Sequence, residues 1–273
     1  MKSKDNTTFA NGSSRAASVM ASEMYAFAFD TDLTSMVIPE GGTKIGAFAF
    51  WLCSRLTSVV IPYGVTEIGP YAFACCCDLT SVTIPESVTK IGKGAFYNCR
   101  ELKNLVIPGS VTEIGPKTFE NCSGLENIVL PDNLANIDGS AFDGCYDLMT
   151  PIIAGTRLIA WKGAIGNISI PDGITEIGGH AFEGSVLVSK VVLPHSVTTI
   201  GPYAFFGSSL TSITIPDSVT EIGAFAFCRC RDLTDVIVVP ASVKTLGPSA
   251  FLGCEDKVVL PPGLEYHKRD III

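Results

Sequence analysis

Apolar and polar residues follow a pattern that recurs every 23 residues along most of the chain. One copy opens with the segment LTSVVIP at Leu56–Pro62, and the next opens with an equivalent segment at Leu79. The proline that closes this segment recurs at Pro39, Pro62, Pro85, Pro108, Pro131, Pro171, Pro194, Pro216, Pro240 and Pro261. A repeat of this length is typical of a solenoid, in which each copy uses its neighbours as its core.

The full unit reads L-x-x-V-x-I-P-x-x-V-T-x-I-G-x-x-A-F-x-x-C-x-x, and its V-x-I part predicts a short strand. Apolar and variable positions alternate there with period two, and the β-branched residues favour a pleated, half-buried surface. The following proline has no N–H to donate and therefore ends the strand. The Val, Ile and Phe positions of an isolated unit cannot contact one another, so each is expected to form a column with its equivalents in neighbouring copies.

A phenylalanine occupies the same repeat position in ten copies and predicts a buried aromatic column. These residues are Phe27, Phe50, Phe73, Phe96, Phe119, Phe142, Phe182, Phe205, Phe227 and Phe251. The glycine after the second Ile of the unit is predicted to permit a tight turn with positive φ. It is found at Gly46, Gly69, Gly92, Gly115, Gly178, Gly201, Gly223 and Gly247. Asp138 replaces it in one copy, and Asp also tolerates the left-handed region.

Seven of the ten cysteines lie three residues after the column phenylalanine, at Cys53, Cys76, Cys99, Cys122, Cys145, Cys230 and Cys254. Ser185 and Ser208 stand at this position in two other copies, and serine replaces a small buried thiol more easily than it replaces a disulfide partner or a metal ligand. The pattern favours a ladder of buried, reduced thiols and lacks the paired C-x2-C spacing of a zinc site. Cys75, Cys77 and Cys228 lie off this column and are expected nearer to solvent.

The repeat is interrupted between Pro131 and Pro171, which are 40 residues apart. Residues 154–163 lack the V-T-x-I-G and A-F-x-x-C elements and predict an additional hairpin with Leu158–Trp161 as one arm. One interpretation is a shortened repeat that Trp161 helps to fill. The other is a binding protrusion, since irregular loops on rigid scaffolds often carry function. Its candidate binding residues are Arg157, Trp161 and Lys162.

The unit resembles the BspA-like leucine-rich repeats, the treponemal class of that superfamily, over about residues 24–264. Pro-x-x-Val stands where the commonest leucine-rich pattern has Asn or Cys, and this difference fits the BspA-like class. The resemblance implies a leucine-rich-repeat solenoid, a right-handed superhelix with one curved parallel β-sheet on its concave side and short irregular or helical segments on its convex side. It also implies adhesion or partner binding and carries over no catalytic residues.

We therefore expect one solenoid domain at residues 24–264, with about ten repeats of 21–24 residues and an irregular unit near 149–166. Residues 1–23 are polar and are predicted to form a disordered N-terminal tail, and residues 265–273 a C-terminal tail. The N-terminus lacks the apolar region of a secretory signal. The family resemblance suggests a cell-surface or secreted protein, whereas unpaired cysteines suggest the cytoplasm, so the compartment stays open.

Composition and charge exclude several function classes. The net charge is −8 and only 17% of residues are charged, which argues against a nucleic-acid partner. No apolar run reaches the roughly 18 residues of a membrane-spanning helix. The three histidines lie in no known catalytic motif, so we expect no enzyme, no metal site and no cofactor. A column of Glu67, Glu113, Glu176 and Glu221, mixed with Lys44 and Lys90, is either a solubilising rim or an attraction for a basic partner.

The candidate binding face is the set of outward strand positions on the predicted concave sheet. These are Val37, Val60, Thr83, Val106, Val129, Ser169, Val192 and Thr214, flanked by Ser35, Ser58, Ser81, Asn104, Asn127, Asn167, Lys190 and Ser212. The face is β-branched, small and nearly uncharged, so it suits an extended peptide, a protein or a glycan. It is poor in the Trp, Tyr and Arg that dominate binding hot spots, so affinity should come from area.

Three functions are compatible with these patterns. The leading one is a monomeric interaction or adhesion scaffold that binds through the concave face or the 149–166 protrusion. The second is a purely structural repeat protein without a dedicated ligand. The third is an enzyme hidden in the irregular unit, although that stretch offers no convergent catalytic groups beyond Thr150 and Thr156.

Overall fold

Each repeat folds into one turn of a solenoid, and consecutive turns stack with their backbones in parallel. The structure is a computed structural model that describes residues 23–38, 40–134, 137 and 139–264. These residues form two units, one up to Ile137 together with Ala141–Asp147, the other comprising Gly139, Ser140 and the residues from Leu148 on. The predicted tails lie outside the described residues apart from Glu23, as does Asp138. Among described residues, no helix is long and apolar enough to cross a bilayer.

In the first unit, each of the first four turns contributes a three-residue strand and then a two-residue strand, and the fifth contributes a three-residue strand. The longer strands are β1 (Ser35–Val37), β3 (Ser58–Val60), β5 (Ser81–Thr83), β7 (Asn104–Val106) and β9 (Asn127–Val129). The shorter ones are β2 (Lys44–Ile45), β4 (Glu67–Ile68), β6 (Lys90–Ile91) and β8 (Glu113–Ile114). All pairings are parallel and join equivalent residues of adjacent repeats, such as Met36 with Val59.

The second unit repeats this plan. The strands at the longer-strand position are β12 (Gly166–Ser169), β14 (Val188–Val192) and β16 (Ser212–Thr214), followed by β18 (Ile237–Val238) and β20 (Val258–Val259), which have only two residues each. Its other strands are β10 (Ile152–Ala154), β11 (Arg157–Ala160), β13 (Glu176–Ile177), β15 (Thr199–Ile200), β17 (Glu221–Ile222) and β19 (Thr245–Leu246). Short 3₁₀ turns occupy Gly139–Phe142 and Glu255–Lys257.

The predicted repeat solenoid of parallel strands is confirmed, with one difference in detail. The described residues contain two series of parallel strands, divided among six sheets, where the resemblance implied one sheet. The second series comes from the V-T-x-I segment, whose strands are only two residues long, apart from the hairpin arms β10 and β11. Two residues are too short to show a period-two pattern, so the sequence did not reveal these strands.

The predicted phenylalanine column forms the centre of each unit. Every ring in it is buried except the half-buried Phe27. Neighbouring rings lie nearly parallel, with centroids 5.1 to 5.9 Å apart in the first unit and 5.1 to 5.3 Å apart in the second. These spacings lie within the range of favourable aromatic pairs, so each ring packs against its equivalent in the adjacent turns.

The prediction that the glycine after Ile needs a positive φ is wrong. The left-handed residues of each turn lie elsewhere, for example at Tyr71 (φ 54°) and Cys75 (φ 62°), and no glycine of this column is among them. A Cβ built on Gly92 would lie 2.6 Å from the backbone nitrogen of Pro70 and 2.8 Å from the carbonyl carbon of Gly69. Glycine is required because the backbones of adjacent turns approach too closely for any side chain.

The predicted hairpin in the irregular unit is confirmed, but it does not project from the stack. β10 pairs antiparallel with β11, and β11 then pairs in parallel with β13. Leu158, Ile159 and Ala160 of β11 are buried. In its turn, β11 therefore takes the place of a shorter strand. The hairpin lies against the stack and does not extend from it as a binding protrusion would.

We expect Phe119→Ala to lower the free energy of unfolding by about 3–5 kcal/mol, because it opens a cavity in the ring column. The Phe119 ring lies between those of Phe96 and Phe142, with centroid distances of 5.9 and 5.4 Å. The control is Val129→Thr, since Val129 is exposed and surface changes are usually within about 0.5 kcal/mol. Denaturant melts that show equal losses would contradict this assignment of inside and outside.

We expect Gly92→Ala to destabilise the chain by about 1–3 kcal/mol, the usual range for overpacking. The matched control is Gly109→Ala in the same unit, where an added Cβ meets no atom within 4 Å and φ is not positive. Both variants lose the backbone flexibility of glycine, but only Gly92→Ala places a Cβ against the adjacent turn. Thermal and denaturant melts of the two variants therefore separate the steric cost from the flexibility cost. Equal destabilisation would mean that the column glycine serves some other purpose.

Candidate functional site

The outward positions of the longer strands form a row of exposed β-branched side chains in the first unit. Val60 is 53% exposed and Val106 63% exposed, whereas the inward neighbour Val59 is only 3% exposed. The exposed members of this row are Val37, Val60, Thr83, Val106 and Val129. Alternation along each strand therefore exposes apolar methyl groups to water, and no element among the described residues covers them.

Small polar residues run beside this row at the first position of each strand. Ser35, Ser81, Asn104 and Asn127 are exposed, and Ser58 is half-buried. The Asn127 side-chain amide donates a hydrogen bond of 2.9 Å to the Asn104 side-chain oxygen. Pairing between equivalent residues of adjacent turns holds these two amides in one orientation and leaves them accessible.

The second unit carries the same arrangement. Ser169, Val192 and Thr214 are exposed, as are Asn167 and Lys190, while Ser212 is half-buried. Val238 and Val259 continue the outward row and are 63% and 53% exposed. These two valines were not among the predicted members, although each stands two residues before a proline, as the other members do.

The charged column, which consists of the first residues of the shorter strands, is internally paired in the first unit. Lys44 lies 2.7 Å from Glu67, and Lys90 lies 2.9 Å from Glu113. All four side chains are at least partly exposed, so each pair contributes little to stability. Because the lysines neutralise these glutamates, the pairing supports the solubilising interpretation in this unit more than attraction of a basic partner.

The hairpin side chains mostly bond to their own unit. The Trp161 indole N–H donates to the Met149 carbonyl oxygen at 2.8 Å, and its ring lies 6.5 Å from that of Phe182. The Lys162 ammonium donates to the His180 carbonyl oxygen at 2.7 Å. Arg157 is half-buried at the start of β11. These contacts fit the interpretation of a filled, irregular turn.

The seven column cysteines form the predicted ladder of buried thiols. Each thiol donates to the carbonyl oxygen of the column phenylalanine in the preceding turn, as in Cys99 to Phe73 at 3.2 Å and Cys145 to Phe119 at 3.0 Å. None of the ten cysteines forms a disulfide. Ser208 fills the same position and lies 3.5 Å from the Cys230 sulfur. A thiol is a weak donor, which suits a carbonyl that already accepts from the adjacent backbone.

Burial favours the protonated form of several of these thiols. It raises the pKa of Cys53 to about 12 and that of Cys230 to about 11. Desolvation also raises the pKa of Cys76 and Cys99 well above the ordinary value. Cys75 and Cys77 are partly exposed, as expected from the sequence, but Cys228 is buried, so that expectation is wrong. Cys228 stands directly after Phe227, at a repeat position where the small Ala74 is also buried, whereas the larger Tyr97 and Phe206 are half-buried.

No group of three or more His, Cys, Asp or Glu side chains is arranged to hold a metal ion within the part of the chain that the structure describes. The acid–base candidates are dispersed along the turns. The pair of His180 and Glu183 lies on one turn of the second unit, where the imidazole stacks on Tyr203 at 4.9 Å.

The BspA-type leucine-rich repeat family model matches residues 22–149 and 157–266, interrupted only at the hairpin. No curated protein sequence matches the chain. A leucine-rich cell surface protein from Faecalibacterium prausnitzii is a similar solved structure, with 29% identity, a TM-score of 0.51, and coverage of 84% of this chain and 72% of that protein.

Two further solved structures are similar. A leucine-rich repeat protein from Bacteroides ovatus has 28% identity and a TM-score of 0.52, with coverage of 91% of this chain and 85% of that one. The pneumococcal vaccine antigen PcpA has 20% identity and a TM-score of 0.56, with coverage of 83% of this chain and 62% of that one. At the latter identity the similarity shows the fold alone.

We expect Cys75 and Cys77 to react first with a thiol reagent in the native state, because the thiolate is the reactive form and burial suppresses it in the column. Cys228 should react as slowly as the column thiols do. Mass-spectrometric mapping of alkylated sites checks the order, and column thiols that react as fast as Cys75 would contradict their burial.

Cys99→Ser should fold, since Ser208 already occupies an equivalent position, and reductant should not shift the melting temperature.

Proposed function

Because the chain belongs to the BspA-type leucine-rich repeat family, we propose that it is a non-catalytic scaffold that binds an extended segment of another protein. The binding surface is the outward strand row of each unit, called here the strand face. It comprises Val37, Val60, Thr83, Val106 and Val129 in the first unit and Ser169, Val192, Thr214, Val238 and Val259 in the second.

The observation that carries this proposal is the exposure of seven valines on strands whose inward residues are buried or, at Ile128 and Val258, half-buried. A solvated strand face usually presents polar residues, and solubility disfavours repeated exposed valine. Apolar methyl groups beside Ser and Asn hydroxyls and amides suit a partner that offers alternating apolar side chains and backbone polar groups. An extended polypeptide has that chemistry.

The strand face lacks the aromatic and arginine anchors that dominate small, tight interfaces. Each contact is therefore modest, and affinity depends on how many turns the partner covers. This property fits adhesion, in which many weak contacts act together. The cell-surface description of the Faecalibacterium prausnitzii relative supports such a setting for this chain.

The family consists of repeat scaffolds, and the dispersed acid–base residues of the described chain support a role without catalysis. The hairpin is the least regular part of the repeat, but its side chains make structural contacts to Met149 and His180. The strand face is therefore the better candidate for partner binding than the hairpin.

The test compares two double variants with equal charge changes. Val106→Glu with Val129→Glu alters the strand face, and Val186→Glu with Leu187→Glu alters exposed apolar residues next to a strand of the second unit. Intact chain and variants are used as bait against extracellular-matrix and cell-surface proteins, after melting curves confirm that each is folded. We expect the first variant alone to lose the captured partners, by about tenfold or more.

Capture that both double variants retain would remove the strand face from the proposal. Failure of the intact chain to retain any protein above an unrelated repeat protein would favour the alternative of a structural protein without a dedicated ligand. Quantitative mass spectrometry of the eluates distinguishes these outcomes.

A further inference from the structure

Every column phenylalanine is followed, two positions later, by a left-handed residue. Glycine fills this position in several turns, including Gly144 (φ 77°), Gly184 (φ 65°), Gly207 (φ 62°) and Gly253 (φ 86°). Glycine is the residue that adopts this conformation without steric cost. Asn98 (φ 60°) and Asn121 (φ 63°) occupy it in two adjacent turns of the first unit. Asn tolerates this region better than most residues, so the left-handed backbone explains why asparagine stands here. It does not explain which side chains surround the two asparagines.

These two asparagines line an open cavity of about 390 Å³ in the first unit. The cavity is within the roughly 300–1,000 Å³ of small-molecule sites. Its other side chains are Tyr97, Arg100 and Ser123 from the same two turns and Tyr146 from the next turn. The cavity is therefore bounded by two phenol rings, two amides, a guanidinium and a hydroxyl.

The polar groups of this cavity are held in place by one another. The Asn121 amide donates to the Tyr97 hydroxyl at 3.3 Å, and the Arg100 Nε donates to the Asn98 side-chain oxygen at 2.8 Å. The Asn98 amide also lies 3.6 Å from the Cys75 sulfur. No described residue bonds the terminal nitrogens of Arg100, which is exposed. The lining thus offers fixed donors and acceptors toward solvent.

The next turn is shaped to leave space for the Asn121 amide. A Cβ on Gly144 would collide with the Asn121 side-chain oxygen. In the same turn, Tyr146 is 70% exposed, although tyrosine is a large and partly apolar side chain. The glycine and the exposed ring together keep the cavity open on one side and supply it with an aromatic wall.

This combination of residues is confined to three consecutive turns. The position four residues after the column phenylalanine carries Arg100, Ser123 and Tyr146 here, and Thr31, Ser54, Cys77, Val186, Ser209, Arg231 and Glu255 elsewhere. No other copy joins an amide at the left-handed position to an adjacent arginine or tyrosine. Departures from the repeat that cluster in space indicate a binding site, because the stacking of turns does not require them.

We propose that this cavity binds a neutral pyranose sugar, such as the terminal hexose of a glycan. The two faces of a pyranose ring are rich in C–H groups, which pack on the negative faces of tyrosine rings. Its hydroxyls both donate and accept hydrogen bonds, as asparagine amides do, and guanidinium groups donate to hydroxyl oxygens. The site is separate from the strand face, so it does not depend on the protein-binding function.

The charges around the cavity favour a neutral ligand over an anion. Arg100 is the one cationic side chain in its lining. Lys117 is paired with Glu120 at 2.8 Å, and Lys103 lies 3.6 Å from Glu126. The whole chain carries a net charge of −8, which repels sulfated or polyanionic glycans at long range.

The experiment is saturation-transfer NMR of the full chain with methyl glycosides of glucose, galactose, mannose and N-acetylglucosamine. Methyl sialoside and inorganic sulfate provide the anionic arms. We expect at least one neutral glycoside to bind with a dissociation constant of roughly 0.1–10 mM, as a few hydrogen bonds and one stacked ring allow. The strongest contacts should be at ring C–H protons.

Three variants remove the lining one group at a time: Asn121→Gly, Arg100→Ala and Tyr146→Ala. Glycine at Asn121 keeps the left-handed backbone, as Gly144 does in the next turn, so loss of binding cannot be attributed to strain. Each variant should weaken binding by about tenfold, the loss of one well-made contact. Arg231→Ala, at the same repeat position in the second unit, and Tyr63→Ala, which removes another exposed tyrosine, should bind as the intact chain does.

Absence of binding by all the neutral glycosides, or binding by the anionic probes alone, would overturn the proposal. So would sugar binding that the three cavity variants leave unchanged. The Val106→Glu and Val129→Glu variant should retain sugar binding, so failure of the strand-face proposal and failure of this one are measured separately.

Discussion

The rest of the structure depends on direct backbone hydrogen bonding between successive turns. The N–H groups of Tyr71, Phe73 and Cys75 donate to carbonyls of the next turn, in each case that of the residue just before the equivalent position, as in Phe73 to Ala95. The N–H of Gly92 donates to the Ile68 carbonyl of the preceding turn. Parallel strands held in this way lie about 4.8 Å apart. At that distance a residue meets its own equivalent above and below. A residue type that packs well on itself is therefore favoured at every inward position.

The same constraint decides how hydroxyl and thiol groups along the stack find hydrogen-bond acceptors. The Thr80 hydroxyl donates to the carbonyl of Thr57, and Ser110 donates to that of Val88. The column thiols reach a phenylalanine carbonyl in the same manner. Because these side chains find their acceptors in the adjacent turn, they require no partner outside the stack. Among the described residues, the buried Ser185 hydroxyl and one terminal nitrogen of Arg157 lack such a partner. The outward positions are then free to vary from turn to turn, and both proposed binding surfaces consist of such positions.

The strand face and the cavity differ in how far the sequence could reveal them. The strand face follows from period-two alternation, so the outward direction of Val60 and Val106 could be predicted from the repeat alone. The cavity joins residues 23 or more positions apart, and its members share no motif. Asn98, Asn121 and Tyr146 become neighbours through the stacking distance and the left-handed turns. The sequence shows that these residues depart from the repeat consensus, but it does not show that they line one cavity.

The sequence by itself determined the repeat, the strands that end at proline, the phenylalanine and cysteine columns and the existence of a hairpin in the irregular unit. These features depend on periodicity, and periodicity is fully present in the chain. Only the tertiary structure decided why the column glycine is glycine, that Cys228 is buried, and that the hairpin joins the ladder of shorter strands. Each of these depends on the distance between backbones of different turns. A single repeat does not contain its neighbour, so contacts across the stack become visible only after folding.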